Sequence, residues 1–448
     1  MLVLLSILIP FSYLSTIAYL STKTGNLQRE IYSGEKLLNI TSEQILFDAL
    51  YVKLVVLCCC AFDKSVGVWD TFPEFFDSEN PTIFKIYKIL IHCFVISECD
   101  LPQQAIEDLC CCQKVFENNS RGGFYLSSLC FPYGVRHVKT VVYAFLSISD
   151  DIVDTCVKNG KYVDEDKLIK RLNKLNSIKR FIKEVFERPS SIAIVDSKNV
   201  NDLIPEINWS SYENEFTMDE ISIYRALQRV SFCFHPKPFE EFASGFEWDL
   251  NERVPESTQE LLEYANYVAA SVGEICADIF YSKVVFGYRK SPINDKFFQE
   301  IIEKIRTCGN VLQLVNIARD IVVDSENLNR CYIPIEFLKN PCEELNLLLV
   351  KQDPWAIGEE KLLKYALKLI DFADSMYEEM DCHDLFYMLP NEVRFPTYAL
   401  VTIYRQIGES IKRKNRYTTT TKVGKWTKWW TLVKCMYFTN LSSLPFKV

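Results

Sequence analysis

The sequence predicts an all-α protein: a helical bundle around a central cavity, preceded by N-terminal membrane helices. Three observations carry that expectation. The 448-residue chain holds only 14 glycines while 48% of it is apolar, a balance that favours helices. From about Glu107 to Tyr417, segments with helical apolar spacing alternate with short polar loops, without a hairpin signal or an internal repeat. Two aspartate clusters, Asp150-Asp151-x-x-Asp154 and Asp320-x-x-x-Asp324, interrupt stretches that otherwise read as apolar helix.

Met1 to Leu20 carries no charged residue and is long enough to cross a bilayer. It lacks a basic leader and a small-residue cleavage site, so it reads as a retained anchor. Ser42 to Phe62 is a weaker span interrupted by Glu43, Asp48 and Lys53, with a buried soluble helix as the other reading. Ile83 to Ile96 is apolar but short and contains Lys85 and Lys88. Near Leu101 the texture turns amphipathic, so residues 1–100 are read as a membrane segment and 101–420 as the main domain. Within that domain, Lys158 to Lys183 reads as a solvated helix and loop, and Glu187 to Asp219 as a loop-rich insertion. Residues 421–448 form a basic aromatic tail, which either lies on a membrane surface or extends without fixed structure.

Composition excludes several classes. A net charge of −9 leaves no basic surplus for nucleic-acid phosphates. The 17 cysteines are odd in number and include the runs Cys58-Cys59-Cys60 and Cys110-Cys111-Cys112, which argues for buried thiols rather than a disulfide framework. The four histidines stand singly, away from zinc-ligand spacing. Glycine-rich phosphate loops are absent from the sequence.

The aspartates carry the chemistry. Positions i and i+4 stack on one helix face about 5–6 Å apart, where like charges repel. Asp150 and Asp154 share such a face with Asp151 beside them, and Asn316, Asp320 and Asp324 form a second polar stripe. One Asp-x-x-x-Asp is usually a solvated face; two on apolar helices call for a cation. Mg²⁺ suits them, because it takes one or two carboxylates per ion and fills its other positions with water and substrate phosphate. Arg330 follows the second cluster, where it can meet a phosphate at the helix exit. Apolar and aromatic walls between the acids would suit prenyl chains.

These motifs carry a resemblance. From about Ser120 to Tyr417 the chain resembles the phytoene synthase/squalene synthase family of head-to-head prenyl transferases, most closely the synthase half of fungal bifunctional lycopene cyclase/phytoene synthases. Its first motif falls on Asp150, Asp151 and Asp154, and its second on Asn316, Arg319, Asp320 and Asp324, followed by Arg330, Tyr332 and Pro334. Gly245 to Asp249, Tyr264 to Gly273, and Leu389-Pro390 with Arg394 match further signatures.

The resemblance implies an isoprenoid synthase-type helical fold that binds two geranylgeranyl diphosphates in one cavity. Mg²⁺, or Mn²⁺ in its place, is then expected on Asp150, Asp151, Asp154, Asn316, Asp320 and Asp324, with Asp150, Asp154, Asp320 and Asp324 as the catalytic carboxylates. Arg136, Tyr143, Phe145, Tyr267, Asn316, Arg319 and Arg330 are expected around the substrate. The implied product is phytoene, formed through prephytoene diphosphate, which would place the enzyme in carotenoid biosynthesis at a membrane, beside other enzymes of that pathway.

Some positions depart from the family pattern. Ser147 stands where the family usually has an arginine, and Arg121-Gly122-Gly123 stands where it has Ser-x-Ser. Further upstream, Tyr32 to Phe47 with Ala61 to Lys64 and Asp70 to Pro73 resembles part of the family's membrane lycopene cyclase domain, with Glu43-Gln44 as its acidic pair. Only one of the two cyclase repeats is recognisable, so cyclase activity is expected to be absent unless a partner chain completes it. Two other readings stand beside the leading one: a squalene synthase that requires NADPH, and a non-catalytic isoprenoid-binding membrane protein.

Overall fold

Helical apolar spacing turns almost the whole described chain into helix. The structure, a computed structural model, describes residues 103–120, 127–128, 130–131, 133–154, 165–187, 204–282, 295–419 and 423–437, and no strand occurs among them. In chain order the helices are α1 (Gln103–Asn119), α2 (Tyr133–Asp154), α3 (Glu165–Phe186), α4 (Met218–Val230) and α5 (Lys237–Leu250). There follow α6 (Thr258–Ala265), α7 (Ser271–Phe280), α8 (Lys296–Val323), α9 (Pro341–Leu345), α10 (Glu359–Glu379), α11 (Cys382–Met388), α12 (Asn391–Lys414) and α13 (Lys425–Tyr437). Two π-helical turns matter for the site: Asn266–Ala270 between α6 and α7, and Asp324–Leu328 after α8.

Leu109–Val195 and Ile204–Val448 make one compact unit; Met1–Asp108 with Asp196–Leu203 makes another. Of the second, only residues 103–108 are described. The expected membrane segments, from Met1 to Leu20 and from Ser42 to Phe62, lie outside the described residues, as does the cyclase-like stretch. No helix among the described residues is long and apolar enough to cross a membrane.

Local sequence explains where the helices begin. Thr217 and Glu220 form a reciprocal capping box on α4, and the Asp295 side chain accepts from Phe298 N–H at the start of α8. The 28-residue α8 is the axle of the bundle, packed against α7, α10, α11 and α12. Two glycines allow its close approach to the α6–α7 region. A Cβ on Gly309 would lie 2.6 Å from the Ala269 carbonyl oxygen, and one on Gly273 would lie 2.8 Å from that of Ile305. Arg306 locks the same crossing, reaching Glu241 of α5 at 2.8 Å and Glu274 of α7 at 2.5 Å.

A second core of rings, Phe145, Phe181, Tyr224 and Phe239, joins α2 through α5. Arg394 is fully buried and donates to the Tyr387 and Leu389 carbonyls at 3.1 and 3.0 Å. It thus satisfies the open carbonyl end of α11, which accounts for an arginine at that point of the sequence.

The stretch from Ile204 to Thr217, within the expected loop-rich insertion, is a run of turns, and Trp209 and Tyr212 pack their rings on Phe181. The basic aromatic tail contains α13, whose Leu432 and Cys435 pack with Ala399 of α12. Helical spacing of those apolar residues gives the segment one face to bury. Every cysteine among the described residues is a free thiol.

Candidate active site

Both acid clusters sit at the C-terminal ends of their helices, α2 and α8. The macrodipole is negative there, and each added anion costs roughly 0.3–1 kcal/mol. The last turn of α2 contains no basic residue to offset this. The two ends open onto one cavity of about 480 Å³, lined by residues of α1, α2, α5, α6, the first π-turn, α7, α8 and α12, and by the chain that leaves α8.

On the α2 wall, Tyr143, Leu146, Ser147 and Asp150 line the cavity at successive helical spacings. Asp151 is exposed beside them and accepts from the Asn119 amide at 3.1 Å. The same amide donates to Ser147 Oγ at 2.8 Å, so the place where the family has an arginine is bridged to α1 instead. Asp154 is the last residue of α2, one turn beyond Asp150; its side chain lies outside the described residues, as does Arg121 to Phe124. Burial, reinforced by Tyr404, Asp151 and Asp150, pushes the Tyr143 hydroxyl up to about 12.

On the α8 wall, Gln313, Asn316, Ile317, Asp320 and Asp324 line the cavity as one stripe. Burial holds the Asp324 carboxyl well above the ordinary carboxylate range, and the charge of Asp320 adds to the effect, against the opposing pull of Arg330. The Asn316 Oδ1 is buried without a hydrogen-bond partner. Arg319 bonds the carboxylate of its neighbour, with Nε 2.7 Å from Asp320 Oδ1.

The wide turn after α8 reverses the chain. It ends at Asn329 in a left-handed conformation (φ 54°), and Arg330 N–H donates to the Asp324 carbonyl at 3.0 Å. Arg330 is thereby carried back to the cavity, 3.7 Å from Asp249 of α5. Asp249 also accepts from Tyr332 at 2.7 Å and Tyr264 at 3.3 Å, and the two tyrosine rings stack 4.6 Å apart. All four residues line the cavity.

Three expected substrate contacts are not brought to this cavity. Phe145 is fully buried in the ring core, because five residues separate it from Asp150 and turn it about 140° away on the helix. Arg136 lies on the same helix 14 residues before Asp150, about 21 Å along the axis. Tyr267 donates to Glu263 at 2.9 Å, while its neighbour Val268 faces the cavity. Asn119, Gln313 and Tyr404 were not assigned from sequence, yet they line the site. Gln313 alone had a signal, standing three residues before Asn316 on the same stripe.

The donor set fits a hard cation. It consists of carboxylates and one amide oxygen, and the buried, unpartnered Asn316 Oδ1 lacks what such an ion would supply. Among the described residues no group of three or more His, Cys, Asp or Glu side chains converges as a complete cage. Mg²⁺ does not need one, since it binds through one or two carboxylates together with substrate phosphate.

Residues 118–430 match the family described as squalene/phytoene synthase. A bifunctional lycopene cyclase/phytoene synthase of Blakeslea trispora is 30% identical over 426 residues, covering 93% of this chain and 64% of that protein. One from Phycomyces blakesleeanus is 26% identical over 439 residues, covering 97% and 68%. The chain therefore spans 64% and 68% of the length of these two relatives. A crystallised dehydrosqualene synthase superposes with a TM-score of 0.52 at 19% identity, over 76% of this chain and 99% of that one, so the helical fold is shared. Because the matched span takes in both acidic helix ends and the arginines beside them, the chain belongs to the squalene/phytoene synthase family of prenyl-transferring synthases.

Proposed function

We propose that the protein joins two geranylgeranyl diphosphates head to head, through prephytoene diphosphate, to phytoene in carotenoid biosynthesis. One observation carries this reading above the rest: two carboxylate-bearing helix ends and two arginines open onto a single cavity that is also lined by apolar and aromatic side chains. Asp150, Asp320, Asp324 and Asn316 would hold Mg²⁺ or Mn²⁺, with Asp151 and Asp154 beside them on α2. A bound ion neutralises charge on the departing diphosphate.

This chain's own residues supply the rest. Arg319 and Arg330 present guanidinium groups to the anion at the α8 exit. Leu146, Phe242, Val268, Val272, Ile317 and Leu328 make a dry wall that keeps water from the allylic and cyclopropyl cations. Tyr143, its hydroxyl pushed up by burial, stays protonated beside the acids and adds no charge there. Substrate and product both carry long apolar chains, which supports a place at a membrane near other enzymes of the pathway.

The test is product analysis. Purified protein is incubated with Mg²⁺ and geranylgeranyl or farnesyl diphosphate, with and without NADPH, and the hydrocarbons are identified. Phytoene from the C20 substrate without reductant is the expected result. Squalene that forms only with NADPH assigns the other branch of the family. No hydrocarbon from either substrate overturns the enzyme reading.

A further inference from the structure

Asn119 is the last residue of α1, and its amide nitrogen has two hydrogens to give. One goes to Ser147 Oγ at 2.8 Å and the other to Asp151 Oδ2 at 3.1 Å. Those acceptors stand four residues apart on α2, so a single group spans one helical turn and stops beside Asp150. Asn119, Ser147 and Asp150 all line the cavity.

The local helix does not need this contact. Ser120 N–H donates to the Phe116 carbonyl at 3.1 Å, ending α1 by its own backbone, and the Phe116 ring meets Tyr143 edge-on at 4.7 Å, joining α1 to α2. Asn119 is exposed at the cavity rim. What it can do there is orient a carboxylate at the crowded, dipole-disfavoured end of α2. An amide does so without charge. A lysine or arginine in its place would neutralise the anion that a cation needs, whereas the amide fixes its direction and leaves the charge intact.

Resting on the synthase reading above, we infer that Asn119 is a positioning residue for the first aspartate cluster: its neutral amide holds Asp151 beside Asp150 so that the end of α2 is set for a divalent cation. Hydrogen-bond partners of ligating carboxylates typically contribute about 10–100-fold in metal affinity.

The experiment measures Mn²⁺ binding by electron paramagnetic resonance, in the presence of inorganic pyrophosphate, for wild type, Asn119→Leu and Asn119→Gln. Asn119→Leu should bind Mn²⁺ about tenfold more weakly, with a parallel rise in the Mg²⁺ concentration for half-maximal turnover. Its melting temperature should match wild type, and Asn119→Gln, which keeps the donor, should recover part of the affinity. Wild-type Mn²⁺ affinity in Asn119→Leu overturns the assignment and leaves the synthase reading standing. A wild-type protein that binds no Mn²⁺ overturns both. One that binds Mn²⁺ and weakens on Asn119→Leu, yet forms no hydrocarbon, supports the positioning role and overturns only the proposed reaction.

Discussion

Tyr332 donates its hydroxyl to Asp249 at 2.7 Å, tying the chain that leaves α8 to the last turn of α5. Arg330 reaches the same carboxylate from two residues earlier, at 3.7 Å. Asp249 therefore decides where the arginine beside the second acid cluster points.

That relationship predicts a split between two variants. Tyr332→Phe removes a hydrogen bond to a charged acceptor, worth roughly 1.5–3 kcal/mol, and should lower the melting temperature while raising KM for the diphosphate substrate. Asp249→Ala takes the anion away from a buried guanidinium and should cost about 3–5 kcal/mol of unfolding free energy in a urea titration. A Tyr332→Phe protein with wild-type KM would show that Arg330 is held by other means.

Asp150→Asn and Asp320→Asn keep the shape of each side chain and remove its charge. If the two helix ends share the work of gripping cations, each change should lower kcat by at least about 10³-fold, since several kcal/mol of charge stabilisation depends on them. Circular dichroism should remain that of the wild type. Should both variants turn over at normal rates, the acids are a solvated face and nothing more.

Asp324 predicts a pH dependence whose sign follows from its burial. Its folded pKa is raised, so the folded state holds a proton that the unfolded state releases, and metal-free stability should fall as pH rises from the ordinary carboxylate range through the raised value. Asp324→Asn should flatten that slope and raise the metal-free melting temperature at alkaline pH. A cation favours the carboxylate, so Mg²⁺ affinity should weaken as pH falls through the same window. Melting curves across a pH series with and without Mg²⁺ read both effects at once.

Gly309 tests the packing beneath the site. Glycine to alanine inside a helix gains about 1 kcal/mol in propensity. Against this, the new Cβ would meet the Ala269 carbonyl oxygen at 2.6 Å, and overpacking of that kind costs about 1–3 kcal/mol or more when backbone must move. The loss should win. Gly309→Ala should melt lower than wild type and, by pushing back the π-turn that carries Val268, turn over more slowly.

The helical nature of the chain and the spacing of its acids are local properties. A period of 3.6 residues, few glycines and the stripe Asn316, Asp320, Asp324 state them directly, and all three residues line one cavity. The same arithmetic could have set Phe145 apart from Asp150, because five positions carry it to the opposite side of α2; the family pattern placed it nearer the substrate than its own helix allows.

What the linear order determined by itself is which segments coil and which side of each coil bears charge, since those depend on neighbours three and four residues away. Only the tertiary structure decided that Asn119 would meet Ser147 and Asp151, that Asp249 would gather Tyr264, Arg330 and Tyr332, and that Arg136 would stand too far along α2. Those outcomes turn on how far each helix is rotated and where it crosses its partners. Rotation and crossing are set by packing between residues distant in the chain, and no local period encodes them.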